Sequence, residues 1–341
     1  MNIIRESYEI LNKPNPQNCL GVLQHLERVG RTCYKSEDKI TEQSCLRFLE
    51  RIRDRGHWAV LEHYMFVLSV PEWIYNDLMS IYIRATDHEL IDKMRYIEST
   101  KMGDQFIVSF SATALNYVMQ HMIDHAPVKS ISTIGKFMLS YYTDLLVAPP
   151  HVKFELENIE GIKFVSNKNV DEFDVDNKKV HETMSVRFTI PRSISHEIVR
   201  HRPASYAQES TRYVKYNSNM TFVFPTEFID DEDNADIWIR SMRYLEKAYK
   251  KMIANGASAQ QAASVLPNSL KTELVMTARL SEWYHFFDMR ADRAAHPQMR
   301  EVAVPLLADA IVKYPGIFDS LRHRLKENEE YVYPSQKRTI V

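Results

Sequence analysis

Arg200-His-Arg-Pro-Ala-Ser-Tyr-Ala-Gln-Glu-Ser-Thr-Arg-Tyr213 is the stretch on which the reading of this chain turns. It opens with three cationic or titratable side chains in a row. Pro203 then blocks a helix, because the residue before a proline is pushed out of the helical region. Residues 193–202 are therefore predicted to form a helix that stops there, with an extended piece after it. Two-residue spacing would set Gln208, Ser210 and Arg212 on one face of that extended run. Guanidinium forks bind phosphate bidentately, and hydroxyls and amides fill its remaining acceptors. Glu197, three residues before Arg200, stands where it would orient that guanidinium. An isolated Arg-His-Arg tripeptide is ordinarily a solvated helix end; the polar residues trailing it are what argue for an anion site.

Working outward, residues 181–191 alternate Thr183, Ser185, Arg187 and Thr189 against Met184, Val186, Phe188 and Ile190, the pattern of a half-buried strand. Toward the amino terminus, a strand is predicted at 3–8 and helices at 18–31 and 41–55, the latter capped by Thr41 or Ser44. The apolar run 64–70 reads as a strand buried on both faces. Between 71 and 179 the pattern suggests strands at 94–98 and 106–110 and helices at 112–125 and 131–146. Pro149-Pro150 and the polar run 171–179 close that stretch. Beyond the quoted segment come an acidic loop at 228–234 and helices at 235–255, 258–265, 280–290 and 296–313. No internal repeat or linker stands out. The expected architecture is α+β: a central antiparallel sheet with flanking helices, in one domain over 1–341 with an insertion at about 71–179.

Composition sets limits on the ligand. Across 341 residues, 45% hydrophobic and 26% charged is ordinary for a globular protein, and a formal net charge of -2 offers no global attraction for nucleic acid. An anion must be met by a local cluster of cations. Eight glycines build neither GxGxxG nor GxxxxGK, which argues against a Rossmann or P-loop grip. Cys19, Cys33 and Cys45 form no CxxC pair, and no apolar run approaches a membrane span. Reduced thiols, a cytoplasmic address and no membrane contact are the expectation. His57, His63, His121 and His125 have no zinc spacing, so no metal is predicted.

The quoted segment resembles the RHR-x7-S signature of flavin-dependent thymidylate synthases, through Arg200-His201-Arg202 and Ser210. Upstream, His57-Trp-Ala-Val-Leu-Glu62-His63 resembles that family's H-x4-E-H segment. Downstream, Val265-Leu-Pro-Asn-Ser-Leu, His285-Phe-Phe-Asp-Met-Arg290 and His296-Pro-Gln-Met-Arg-Glu resemble its third block. The resemblance implies a homotetramer with active sites between subunits, and reductive methylation of dUMP to dTMP with FAD, 5,10-methylenetetrahydrofolate and NADPH. It implies FAD contacts from Arg200, His201 and Arg202, with Glu62, Gln208 and His285 also on the cofactor side. Glu197, Arg200, Gln208, Glu209, Ser210, Thr211 and Arg212 would line the dUMP site, and Arg290 would face the uracil ring as the catalytic group. The route needs no cysteine nucleophile, which fits all three cysteines lying outside the matching blocks.

The match departs from the family pattern at Ala263, where many members carry an arginine, at His285, where asparagine is common, and at Ala59, where a hydroxyl residue is common. Lys271 or Arg279 could replace the missing charge. Two alternatives stay open: methyl or hydroxymethyl transfer to another pyrimidine nucleotide, and a catalytically inactive nucleotide-binding relative.

Overall fold

The computed structural model describes residues 1–84, 97–124, 129–146, 161–216 and 218–332. Pro149, Pro150 and His125 lie outside them, as does most of the strand expected at 94–98. In chain order the strands are β1 (Asn2–Ile4), β2 (Ser7–Ile10), β3 (Met65–Val70), β4 (Glu98–Met102), β5 (Gln105–Ser111), β6 (Lys163–Phe164), β7 (Thr183–Pro191), β8 (Ser205–Gln208), β9 (Thr221–Val223) and β10 (Lys271–Arg279). Helices are interspersed among them, so the α+β class expected from the sequence is what the chain adopts.

The chain divides into two compact units. The first comprises Met1–Leu11, Arg31–Ser36 and Ser185–Val341; the second comprises Asn12–Gly30 and Glu37–Met184. The described residues of the stretch anticipated as an insertion, 71–179, lie in the second unit, together with the apolar strand at 65–70.

In the second unit the strand order is β4-β5-β3-β6, antiparallel throughout. Side chains alternate across a strand, so the register sorts them into two layers. Phe66, Leu68, Val70, Phe106, Val108 and Phe110 enter a large core that also takes Leu26, Leu49, Tyr142 and Ile134. Val67 and Ile107 point the other way and pack with Val165 and Val170. This is the two-faced burial expected of the run at 64–70.

In the first unit the order is β2-β7-β10-β8, and β1 pairs in parallel with β9 in a separate two-stranded sheet. The single strand expected at 3–8 is thus two short strands that serve different sheets. β7 follows its predicted alternation: Met184, Val186, Phe188 and Ile190 are buried, while Arg187 and Thr189 are half-buried. Ser185 is buried too, because its hydroxyl pairs with that of Thr277 on β10 at 2.7 Å. Phe188 packs against Trp283 and Phe286 of the helix Leu280–Arg290, which starts directly after β10.

Several boundaries move. The helix expected at 131–146 runs Lys129–Leu139. The acidic loop at 228–234 is partly the first turn of the helix Glu232–Ala254, where Glu232 and Asp233 face the positive helix end and Asp231 accepts from the Asn234 amide. The helix Pro297–Lys313 begins at the expected place, with His296 as its cap and Pro297 in its first turn.

Candidate functional site

The predicted helix before Pro203 is shorter than expected, Arg192–Ile198. Past its end the Tyr206 hydroxyl lies 2.9 Å from the Ile198 carbonyl and 2.6 Å from the His201 carbonyl, sharing one proton between them. Burial pushes that phenol's pKa well up, which keeps the proton in place. Of the last-turn carbonyls, that of Ile198 is thus met by a side chain as well as by the His201 amide. Residues 199–204 become a tight turn, with Arg200 and Arg202 exposed and His201 buried at 6% exposure. Neither arginine has an ion-pair partner among the described residues.

Behind the turn stands Arg290, the last residue of its helix. Its Nε donates to His201 Nε2 at 2.8 Å, its Nη1 to Glu197 Oε2 at 2.8 Å and its Nη2 to the Glu197 carbonyl at 3.2 Å. Glu197 therefore orients Arg290 and not Arg200, which corrects the expectation from helical spacing; the helix ends before Arg200, so that neighbour relation is never formed. The geometry also sets the protonation of His201. Nε2 accepts, so the ring is neutral and carries its proton on Nδ1. Burial, then the Arg290 charge, then His285 lower the His201 pKa to about 4, in agreement. With three of its five N–H groups engaged by these partners, Arg290 keeps two to offer.

β8 carries the rest. Gln208 Nε2 donates to the Ser195 hydroxyl at 2.8 Å and lies 3.3 Å from the Thr272 hydroxyl, fastening β8 to the short helix. The extended run stops at Gln208, so Gln208, Ser210 and Arg212 do not share a strand face; residues 211–213 form a turn. Glu209 is buried. It accepts from the Tyr216 hydroxyl at 3.0 Å and from Lys271 Nζ at 2.9 Å, and Lys271 reaches Glu273 at 3.0 Å. Burial opposes the Lys271 charge, but the two carboxylates hold its pKa above the ordinary range. Lys35 closes the network onto Glu273 at 2.6 Å.

Sequence reading passed over that last partner. Residues Arg31–Ser36 join the first unit, where the Cys33 carbonyl accepts from the Ser210 amide at 3.1 Å and Tyr34 packs on Tyr213 with ring centroids 5.8 Å apart. The Arg212 guanidinium lies 5.7 Å from the Tyr213 ring centroid. No local motif marks this segment; its contacts exist only after folding. Ser195, Thr272 and Glu273 went unnoticed for the same reason.

The remaining candidates fall as follows. Thr211 sits half-buried in the turn after β8. His285 is exposed, its ring centroid 5.7 Å from that of His201. Glu62 is half-buried in the second unit, within the turn Trp58–His63. Ala263 opens the short turn Ala263–Val265. Lys271, one of the two proposed replacements for a charge at that position, is occupied by Glu209 and Glu273. Among the described residues, no three His, Cys, Asp or Glu side chains converge as a metal site, and no helix is long and apolar enough to cross a membrane.

The chain is thus an α+β protein in which half-buried Arg290 and Glu197 and buried His201 form one hydrogen-bonded cluster beneath a turn of outward arginines. Residues 177–315 match the family described as thymidylate synthase complementing protein. The chain is 36% identical over 121 residues to the flavin-dependent thymidylate synthase of Pyrococcus furiosus, covering 35% of this chain and 50% of that protein. It is 34% identical over 130 residues to the enzyme of the same name from Geobacter sulfurreducens, covering 38% and 56%. With that of Mycobacterium sp. (strain KMS) it shares 32% over 167 residues, covering 42% and 65%. The resemblance to flavin-dependent thymidylate synthases therefore holds over this part of the chain, which spans about half the length of the first curated relatives it matches. A solved UMP/dUMP methylase, PolB from Streptomyces cacaoi bound with 5-Br dUMP, aligns over 96% of this chain and 97% of its own at 13% identity and a TM-score of 0.40.

Proposed function

We propose that this chain methylates dUMP to dTMP as a flavin-dependent thymidylate synthase, with FAD as cofactor, 5,10-methylenetetrahydrofolate as carbon donor and NADPH as reductant. The observation that carries the reading is Arg290 locked by Glu197 and neutral His201 directly behind Arg200 and Arg202. A homotetramer with interfacial sites and a cytoplasmic location are part of the same proposal.

The residues fit a dinucleotide. Arg200 and Arg202 are exposed cations at the end of a turn, free of ion pairs among the described residues, and suited to a pyrophosphate. His201, uncharged and packed 5.0 Å from the Phe286 ring centroid, gives an apolar edge suited to an isoalloxazine ring. His285, Gln208 and Glu62 are the further cofactor candidates. Bound and reduced, the flavin supplies the hydride that completes the methyl group.

The chain's own part is electrostatic. Carbon 5 of uracil must become nucleophilic, which throws negative charge onto a ring carbonyl. The two uncommitted N–H groups of Arg290, held rigid by Glu197 and His201, are suited to receive that charge with little reorganisation. Ser210, Thr211 and Arg212, on the loop steadied by the Cys33 carbonyl and the Glu209–Lys271 pair, supply hydroxyls and a guanidinium for the phosphate. In this reading the buried Glu209 acts on the nucleotide through the loop it anchors.

The test is direct. Purified protein should be yellow, its flavin bands should bleach under NADPH, and it should release tritium from 5-tritiated dUMP in preference to UMP. Preference for UMP would shift the proposal to another pyrimidine nucleotide. A colourless protein that cannot be reconstituted with FAD would end it.

A further inference from the structure

Each unit is built on a four-stranded sheet of the same central order. Read from the edge, the first unit runs β2-β7-β10-β8 and the second β6-β3-β5-β4. Three consecutive strands correspond: β7 with β3, β10 with β5, β8 with β4. Their connections correspond as well. β7 ends on Pro191 and leads at once into the helix Arg192–Ile198; β3 is followed by Pro71 and the helix Glu72–Arg84. β10 and β5 are each followed without a gap by a helix, Leu280–Arg290 and Ala112–Asp124.

Aligning the two prolines puts buried Ile74 and Leu78 at the places of buried Ile194 and Ile198. Aligning the ends of β5 and β10 puts buried Leu115, Val118 and Met119 at those of Trp283, Phe286 and Phe287. Between β8 and β10 the first unit inserts residues 209–270, where the second makes a tight turn at Gly103, φ 58°. Divergence in length and side chain hid this relation from the sequence, in which no repeat was apparent.

The chemistry does not correspond. Counted on at the same spacing, past the end of the shorter helix Arg192–Ile198, Ser80, Ile81 and Tyr82 stand in the sequence where Arg200, His201 and Arg202 do, and Met122 where Arg290 does. The acid survives as Asp77 at the position of Glu197, but its Oδ2 accepts the Ser130 amide at 3.0 Å, in the first turn of the helix Lys129–Leu139. The ligand-orienting carboxylate has become a helix-end partner.

We infer that the second unit is an internal repeat of the first which lacks cations at the positions of Arg200, Arg202 and Arg290, so that each chain holds one flavin site, built on the Arg200–Arg202 turn. The inference rests on the proposed flavin reading for its ligand. Equilibrium dialysis of the intact chain against FAD tests it, with protein quantified by amino-acid analysis. The expected result is saturation at one FAD per chain, and loss of at least tenfold in affinity in the Arg200→Ala/Arg202→Ala double variant with no second class of site left behind. Two FAD per chain, or a full site persisting in the double variant, would overturn the silent repeat while leaving a flavoprotein. No FAD bound to the unaltered chain would overturn the flavin reading, and the site count with it.

Discussion

Arg290 and Glu197, 93 residues apart in the chain, meet through two bonds: Nη1 to the carboxylate at 2.8 Å and Nη2 to the main-chain carbonyl at 3.2 Å. The second contact means that Glu197 grips the guanidinium with its backbone as well as its side chain. Arg290→Ala should therefore lower turnover by ~10²-fold or more while FAD stays bound, since Arg200 and Arg202 are untouched. Tritium release beside the visible flavin spectrum reads both. Unchanged turnover would remove Arg290 from its assigned role.

His201 should make stability depend on pH. Its folded pKa is about 4, below the ordinary 6.5, so between these values the unfolded chain binds the proton and the folded chain does not. Stability must then fall as pH drops from about 6.5 toward about 4, by at most ~3.5 kcal/mol at ~1.4 kcal/mol per pKa unit. Urea unfolding at pH 7 and pH 4.5 measures this. His201→Gln should flatten the slope, and an unchanged slope would assign it to other groups.

Glu6 predicts the opposite slope on the alkaline side. Burial first, then the neighbouring Glu301, raise its pKa to about 9. Gln298 donates to Glu6 Oε1 at 2.6 Å and Arg5 to Glu301 Oε2 at 3.1 Å. Buried Glu6 Oε2 and Glu301 Oε1 have no donor from other side chains. One proton held between the two carboxyls satisfies both. The folded chain thus keeps a proton that the unfolded chain releases above about 4.5, and stability declines as pH rises toward about 9. Glu6→Gln should remove that decline, seen as a Tm at pH 8.5 closer to its pH 6 value than in the unaltered chain.

Ala263→Arg should tighten dUMP binding. Lys271 is engaged by Glu209 and Glu273, so moving it to the nucleotide would leave the buried Glu209 carboxylate without its cation. A new guanidinium at 263 adds a charge-assisted contact of ~1.5–3 kcal/mol, roughly tenfold to a hundredfold in Kd. Titration calorimetry reads it directly; unchanged affinity would mean that another cation already fills the place.

The cation cluster at 200–202, the alternating strand β7 and the helix Leu280–Arg290 were legible in the sequence, since each announces itself through neighbours a few residues away. β10 was not. Residues Leu274–Ala278 are all buried, so no alternation marks them, and Met276 and Ala278 favour helix on their own. Its place beside β7 comes from packing on both faces.

Periodicity, proline placement and charge spacing act over a few residues, and they pointed to the α+β class and to a local cluster of cations before any folding was considered. Folding alone settled that Glu197 serves Arg290, that His201 is neutral, that Arg31–Ser36 braces Ser210 and that three consecutive strands follow one order in each unit. These outcomes depend on partners up to hundreds of residues away and on the exclusion of water around them, and a string of local preferences encodes neither.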